Sequence, residues 1–132
     1  MLARNISGQP VVIAVEGKVD EPFGPLVGEW RKQESAGKKE RLRFLCKVLG
    51  LETGSVDALR YQLLHRTAAA VLEAERFGAS AAIMLVHSFS PEQAGFQDYA
   101  LFAKAIGADA REGAVATTSI KGPPLFLAWV TD

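Results

Sequence analysis

Two short apolar runs, set far apart, constrain this chain more than any other feature. "VVIAV", Val11 to Val15, is continuous and largely β-branched, the pattern of a strand buried on both faces. "AAIMLVHSF" supplies a second such strand from about Ala82 to His87. The residues between them are dominated by helical spacing, and a crossover of that length joins parallel strands. Both strands then finish at one edge of a sheet, where the ligands of open α/β sheets gather. Glu16 and Lys18 leave the first strand there, and His87 and Ser88 leave the second.

The intervening and following segments read as helices. "LVGEWRKQES" holds a short one, weakened by Gly28. In "KKERLRFLCKVLG", Leu42, Leu45, Cys46 and Leu49 follow helical spacing and Gly50 is placed as the stop. "SVDALRYQLLHRTAAAVLEAERFG" is expected to be the longest helix, with Ser55 as its N-cap, Asp57 near the positive end of the dipole and Gly78 ending it. "SPEQAGFQDYALFAKAIGA" reads as a helix capped by Ser90, with Pro91 first and Phe96, Tyr99, Leu101, Phe102 and Ile106 inside. "AVATTSI" and "LFLAWVTD" are strand-like runs joined by a turn at Lys121–Pro124. The order predicts an α/β or α+β fold, a mixed β-sheet with helices packed against it.

Composition bounds the function classes. A chain of 132 residues, 48% apolar and 23% charged, reads as one soluble domain. No apolar run approaches the roughly 20 residues of a membrane helix, and no secretory signal precedes Val11, so a cytoplasmic location is expected. The lone Cys46 lies among apolar neighbours and reads as a buried, inert thiol. Net charge is zero, which removes the simplest argument for nucleic acid. Residues 31 to 47 nevertheless carry seven basic side chains against two acidic ones, and Lys39, Arg43 and Lys47 stack at four-residue intervals. Such a stripe is ordinarily a solvated face; contact with a phosphate backbone is the minority reading.

The strand ending Glu-x-Lys, the long following helix with a Gln and the next apolar strand resemble the PD-(D/E)XK nuclease superfamily. More closely, "AVEGKVDEPFGP", "LRYQLLHRTAAAVLEAERFGA" and "MLVHSFS" are similar to an uncharacterised bacterial family assigned to it, from about Val11 to Ile106. The resemblance implies a restriction-endonuclease-like core and Mg²⁺-dependent hydrolysis of DNA. It implies Glu16, Lys18 and Gln62 as catalytic residues, with the metal held by Glu16 and the Gly17 carbonyl. Residues two apart on a strand face one side, which fits Glu16 and Lys18 to a shared site. A carboxylate holds Mg²⁺, the metal acidifies its water, and a lysine stabilises charge on phosphate. Arg66, one turn beyond Gln62, joins Lys39, Arg43, Lys47 and His87 as candidate DNA contacts.

One part of that pattern is missing. The superfamily takes a second metal-binding Asp from a strand before Glu-x-Lys, yet residues 1 to 15 contain no Asp or Glu. Either the chain begins late, lacking the first helix and strands of the core, or the site is degenerate. Asp20 substitutes if the strand extends; Glu21 and Glu29 are weaker candidates. The rival reading is a non-catalytic structural or partner-binding domain, with Glu16 and Lys18 an ion pair, Gln62 and Arg66 a solvated helix face, and His65 a structural residue. If Val11–Val15 lacks a neighbour, its bare edge invites a homodimer. The alternative is a monomer in which the C-terminal hairpin fills the gap with Trp129 and Phe126.

Overall fold

Alternating burial along the strands shows how the sheet faces. In the computed structural model, which describes residues 1–132, strand β2 (Pro10–Lys18) and strand β3 (Ala81–Ser88) pair in parallel, with Val12 beside Ala82 and Lys18 beside Ser88. Strand β5 (Leu125–Thr131) adds to β3, also in parallel. Short antiparallel strands close the two edges, β1 (Leu2–Arg4) on β2 and β4 (Val115–Thr117) on β5, giving the order β1-β2-β3-β5-β4. The expected mixed sheet is present, and its first two long strands are parallel.

Helices α1 (Val27–Trp30), α2 (Ala36–Leu49), α3 (Tyr61–Arg76) and α4 (Phe96–Ala105) complete the chain. The sheet residues in the core are Val12, Ala82, Met84, Val86, Leu125, Leu127, Trp129 and Ala116, together with helix residues such as Leu63, Val71 and Phe102. These strand positions all share one face, since alternate residues of a strand point the same way. At the sheet end, Trp129 is fully buried among the rings of Phe23, Phe96 and Tyr99, and its Nε1–H donates to Gln93 Oε1 at 2.6 Å.

Helix α2 starts and stops as helix chemistry dictates. Ser35 Oγ accepts the Lys38 N–H, and Gly50 adopts φ +69°, the left-handed cap open to glycine. Two other helix starts differ from expectation. Helix α3 begins at Tyr61, not after Ser55, which ends a 3-10 turn (Thr53–Ser55). The segment before it is a turn, closed by the Leu59 N–H on Val56 O and held by other partners: Val27 N–H donates to Leu59 O and Gly28 N–H to Asp57 O, while Asp57 pairs with Arg31 at 3.0 Å. Backbone carbonyls replace a side-chain cap, because Tyr61 and Gln62 N–H donate to Pro25 O and Phe23 O. Helix α4 likewise begins at Phe96 rather than Pro91; Ser90 Oγ accepts Ala94 N–H, and Gly95 (φ +87°) makes the entry. Leu101 is 46% exposed, on the outer side of α4 rather than inside.

The expectation of a bare edge along Val11–Val15 is corrected in part. β1 covers Pro10, Val11 and Val12, and Met1 exchanges both backbone bonds with Ile13. Beyond Ile13 no strand lies on that side. The C-terminal hairpin is not the filler, since β5 sits against β3 on the side away from β2. Burial of Val11–Val15 on both faces is also corrected: Val15 is 51% exposed.

Candidate functional site

Glu16 and Lys18 stand on the helix-covered face at the carboxyl end of β2, with Lys18 Nζ 3.6 Å from Glu16 Oε1. Two more residues extend the pair into a line of alternating charge. Arg66 Nε, from α3, lies 3.0 Å from Glu16 Oε2, and Glu21 Oε1 lies 4.0 Å from the far side of Lys18. The line Arg66–Glu16–Lys18–Glu21 is balanced. Its centre is closed off, because the Lys18 and Glu16 side chains are 5% and 13% exposed, whereas Arg66 and Glu21 are half exposed.

The loop after β2 builds the rest of the lysine's surroundings. Lys18 Nζ donates to Pro22 O at 3.3 Å and sits 5.1 Å from the centre of the Phe23 ring. Phe23 is fully buried, anchoring the loop in the core, and Arg60, just before α3, fastens it by donating to Gly24 O at 3.1 Å and to Asp98 at 2.9 Å. Glu21 holds its place through a backbone turn. Its carboxyl lies below the usual range, chiefly through its own backbone N–H, with the Val19 N–H adding to this. A buried ammonium thus has oxygens from Glu16, Glu21 and Pro22 around it and an aromatic ring against it, the partners a desolvated cation requires.

A cleft of about 390 Å³ opens beside this line. Its walls are Met1, Ile13, Ala14, Val15 and Met84, with Glu16 and Arg66 as the only charged side chains. It follows the stretch of β2 that β1 leaves uncovered. Lys18 does not line it.

The other sequence-predicted residues fall in several places. Gly17 is exposed and faces away from Glu16 and Lys18, as alternation requires. Asp20 lies in the bend beyond the end of β2, so the extension that would align it with residues 16 and 18 does not occur. Gln62 occupies the first turn of α3 with its Oε1 buried and without a hydrogen-bond partner. His87 is opposite Gly17 in the register, hence on the other face of the sheet from Lys18; it stacks on Phe89 and lies 3.8 Å from Asp132. His65 stacks on Tyr61. On α2, Lys39 lies 3.9 Å from Glu34 and Arg43 2.8 Å from Glu40, so acids accompany two members of the basic stripe. Lys47 lies in the last turn of α2. Glu29 is in α1. Cys46 is buried, and burial pushes its thiol pKa up, as expected of an inert cysteine.

Over residues 1–132 the chain matches the family described as a domain of unknown function, DUF6946. The chain belongs to the DUF6946 family. No curated protein and no solved structure matches it. The Mg²⁺ site implied by the nuclease resemblance does not fit the residues this DUF6946 chain brings together. Both Glu16 oxygens face cations of the protein itself, and nowhere do three acidic, histidine or cysteine side chains converge. Divalent cations of this kind need several oxygen ligands; here an ammonium stands among the oxygens. Glu21 and Pro22 were the partners least legible in the sequence, because they meet Lys18 only after the chain turns at the strand end.

Proposed function

We propose that this domain is a non-catalytic, partner-binding module, a decayed relative of the nuclease-like plan its sequence resembles. One observation carries the reading: Arg66, Glu16, Lys18 and Glu21 form a charge-balanced line in which the inner carboxylate and the inner ammonium are nearly closed to solvent. A catalytic pair needs an open position for substrate or for an activated water. Here both Glu16 oxygens already face cations of the same protein, and the cleft beside them does not reach Lys18. The cluster's work is then structural, joining the end of β2 to α3 and to the loop through Phe23.

A specific observation favours a second reading, a metal-dependent nuclease acting on DNA. Glu16 and Lys18 do lie side by side at the carboxyl ends of parallel strands, and the exposed part of Arg66 lines a cleft next to them. Nicking of supercoiled DNA in Mg²⁺ or Mn²⁺ separates the two. The binding-module reading expects identical traces for wild type, Glu16→Ala and Lys18→Ala. Metal-dependent nicking by wild type that both variants lose would overturn it and establish the nuclease. A gel shift with duplex and single-stranded DNA adds the partner's class. Binding that weakens steeply with salt, through release of phosphate counterions, would make nucleic acid the partner; no shift at low salt leaves protein partners.

A further inference from the structure

The sheet has a second face against which no helix packs. It carries Val11, Ile13 and Val15 from β2, Ala81, Ile83 and Leu85 from β3, and Phe126, Ala128 and Val130 from β5, as the register requires. Val115 continues it onto β4. All four helices lie against the opposite face, and none of Ile13, Ile83, Leu85, Phe126 or Val130 belongs to or packs against the core cluster. Val15 is 51% and Val115 65% exposed, Ile13, Ile83, Leu85, Phe126 and Val130 are half-buried, and Val11 and Ala128 are buried. Yet the strands are apolar on both sides, as parallel strands are when both faces are covered. The sequence is written for two coverings, and the fold supplies one.

We propose that a second copy of this chain covers the open face, sheet against sheet, in a two-fold homodimer. Three features select that occupant. The strands of this face carry no Asp, Glu, Lys or Arg, so the centres of two identical faces meet without like charges in contact; Asp132 lies just past the end of β5. Its one titratable residue, His87, sits at the end, against Phe89 and near Asp132. Interfaces with exchangeable partners are as polar as ordinary surface, whereas those of homodimers have apolar centres like this one. Area agrees as well. Strands of 9, 8 and 7 residues with two edges of 3 span roughly 480 Å² in projection at about 3.3 Å per residue and 4.8 Å between strands. Two copies then bury about 1,000 Å², the lower bound for a specific interface. Aligned sheets pack about 10 Å apart. This inference is independent of whether the Glu16 cluster is catalytic, since the cluster lies on the covered face.

Sedimentation velocity on the full chain, from nanomolar to high micromolar concentration, tests it. Wild type should pass from monomer to dimer mass. Leu85→Glu places a charge at the middle of the face without touching the core, and should weaken dimerisation at least about 100-fold through an unpaired buried charge, with its circular dichroism unchanged. Val15→Lys, at a position already half exposed, does the same should Leu85→Glu fail to fold. A wild type that stays monomeric at every concentration overturns the proposal. So does a dimer that survives both substitutions, because it must then use another surface, such as the uncovered edge of β2.

Discussion

Arg66 Nε lies 3.0 Å from Glu16 Oε2, closer than Lys18 comes to the same carboxylate. The shorter contact is also the more exposed one, since about half of the Arg66 side chain is open while Lys18 is buried. Distance and importance therefore run in opposite directions. Solvent screens the Arg66 pair, whereas Glu16 is the nearer of two carboxylates to a desolvated ammonium.

Stability of the variants should follow burial. Arg66→Ala is expected to cost about 0.5 kcal/mol, the scale of an exposed pair. Glu16→Ala should cost more, roughly 2 kcal/mol, because it strips a buried charge of its closest counter-charge while Glu21 and Pro22 O remain. Urea unfolding of the two variants measures both. Equal losses would mean that Lys18 draws its compensation from the loop rather than from Glu16.

Much of the fold was legible because burial writes itself as periodicity. The two long parallel strands, the α2 stop at Gly50 and the closing hairpin all follow from local pattern. The starts of α3 and α4 were not, and the reason is physical. Ser55 and Ser90 have the chemistry of caps, but other contacts claimed the next residues: Asp57 and Leu59 carbonyls bond α1, and Ser90 Oγ closes a local turn by accepting the Ala94 N–H. At the site, two-residue spacing correctly put Glu16 beside Lys18. It said nothing of Glu21, which meets Lys18 through a bend, and it misplaced His87 because neighbouring residues at a strand end face opposite sides.

Alkaline pH should unfold this protein partly through one residue. The Tyr99 hydroxyl is buried without a partner, and desolvation raises its pKa above the ordinary 10.0. The folded state therefore holds the Tyr99 proton more tightly than the unfolded chain. That contribution is complete below pH 10.0 and is lost progressively as pH climbs from there towards the folded pKa. Tyr99→Phe removes both the titration and an unsatisfied buried hydroxyl. It should be neutral or stabilising by up to about 1 kcal/mol at pH 7, with a higher alkaline midpoint. An unchanged midpoint in a pH-dependent unfolding series would discount Tyr99 as a source of alkaline sensitivity.

Trp129 should be among the costliest residues to truncate. It is fully buried at the meeting point of Phe23, Phe96 and Tyr99, and its indole N–H is bonded to Gln93. Trp129→Ala is expected to lose about 3–5 kcal/mol, the usual range for emptying a large aromatic site. Gln93→Ala removes the acceptor, together with the bond its Nε2 donates to Ser90 O, and should lose roughly 1–2 kcal/mol. Thermal melts followed by tryptophan fluorescence and circular dichroism rank the pair; a Gln93→Ala protein as weakened as Trp129→Ala would place the value of the site in the hydrogen bond rather than in packing.

Gly95 offers a sharper test, because two independent constraints meet there. Its φ of +87° opens α4 in a conformation that side chains resist. A Cβ at this position would also stand 2.9 Å from Cε2 of Phe23, too close for the contact to persist unchanged. Phe23 cannot withdraw freely, since it is fully buried and its carbonyl accepts the Gln62 N–H at the start of α3. Gly95→Ala should therefore be destabilising by about 2–3 kcal/mol, strain and displacement together. Gly50, also left-handed at φ +69°, has nothing within 4 Å of its Cβ position, so Gly50→Ala bears the backbone term alone, about 1 kcal/mol. Chemical unfolding of the two variants isolates the Phe23 contact as their difference. If the two losses are equal, the ring has moved aside without cost and the loop beneath Lys18 is softer than its burial implies.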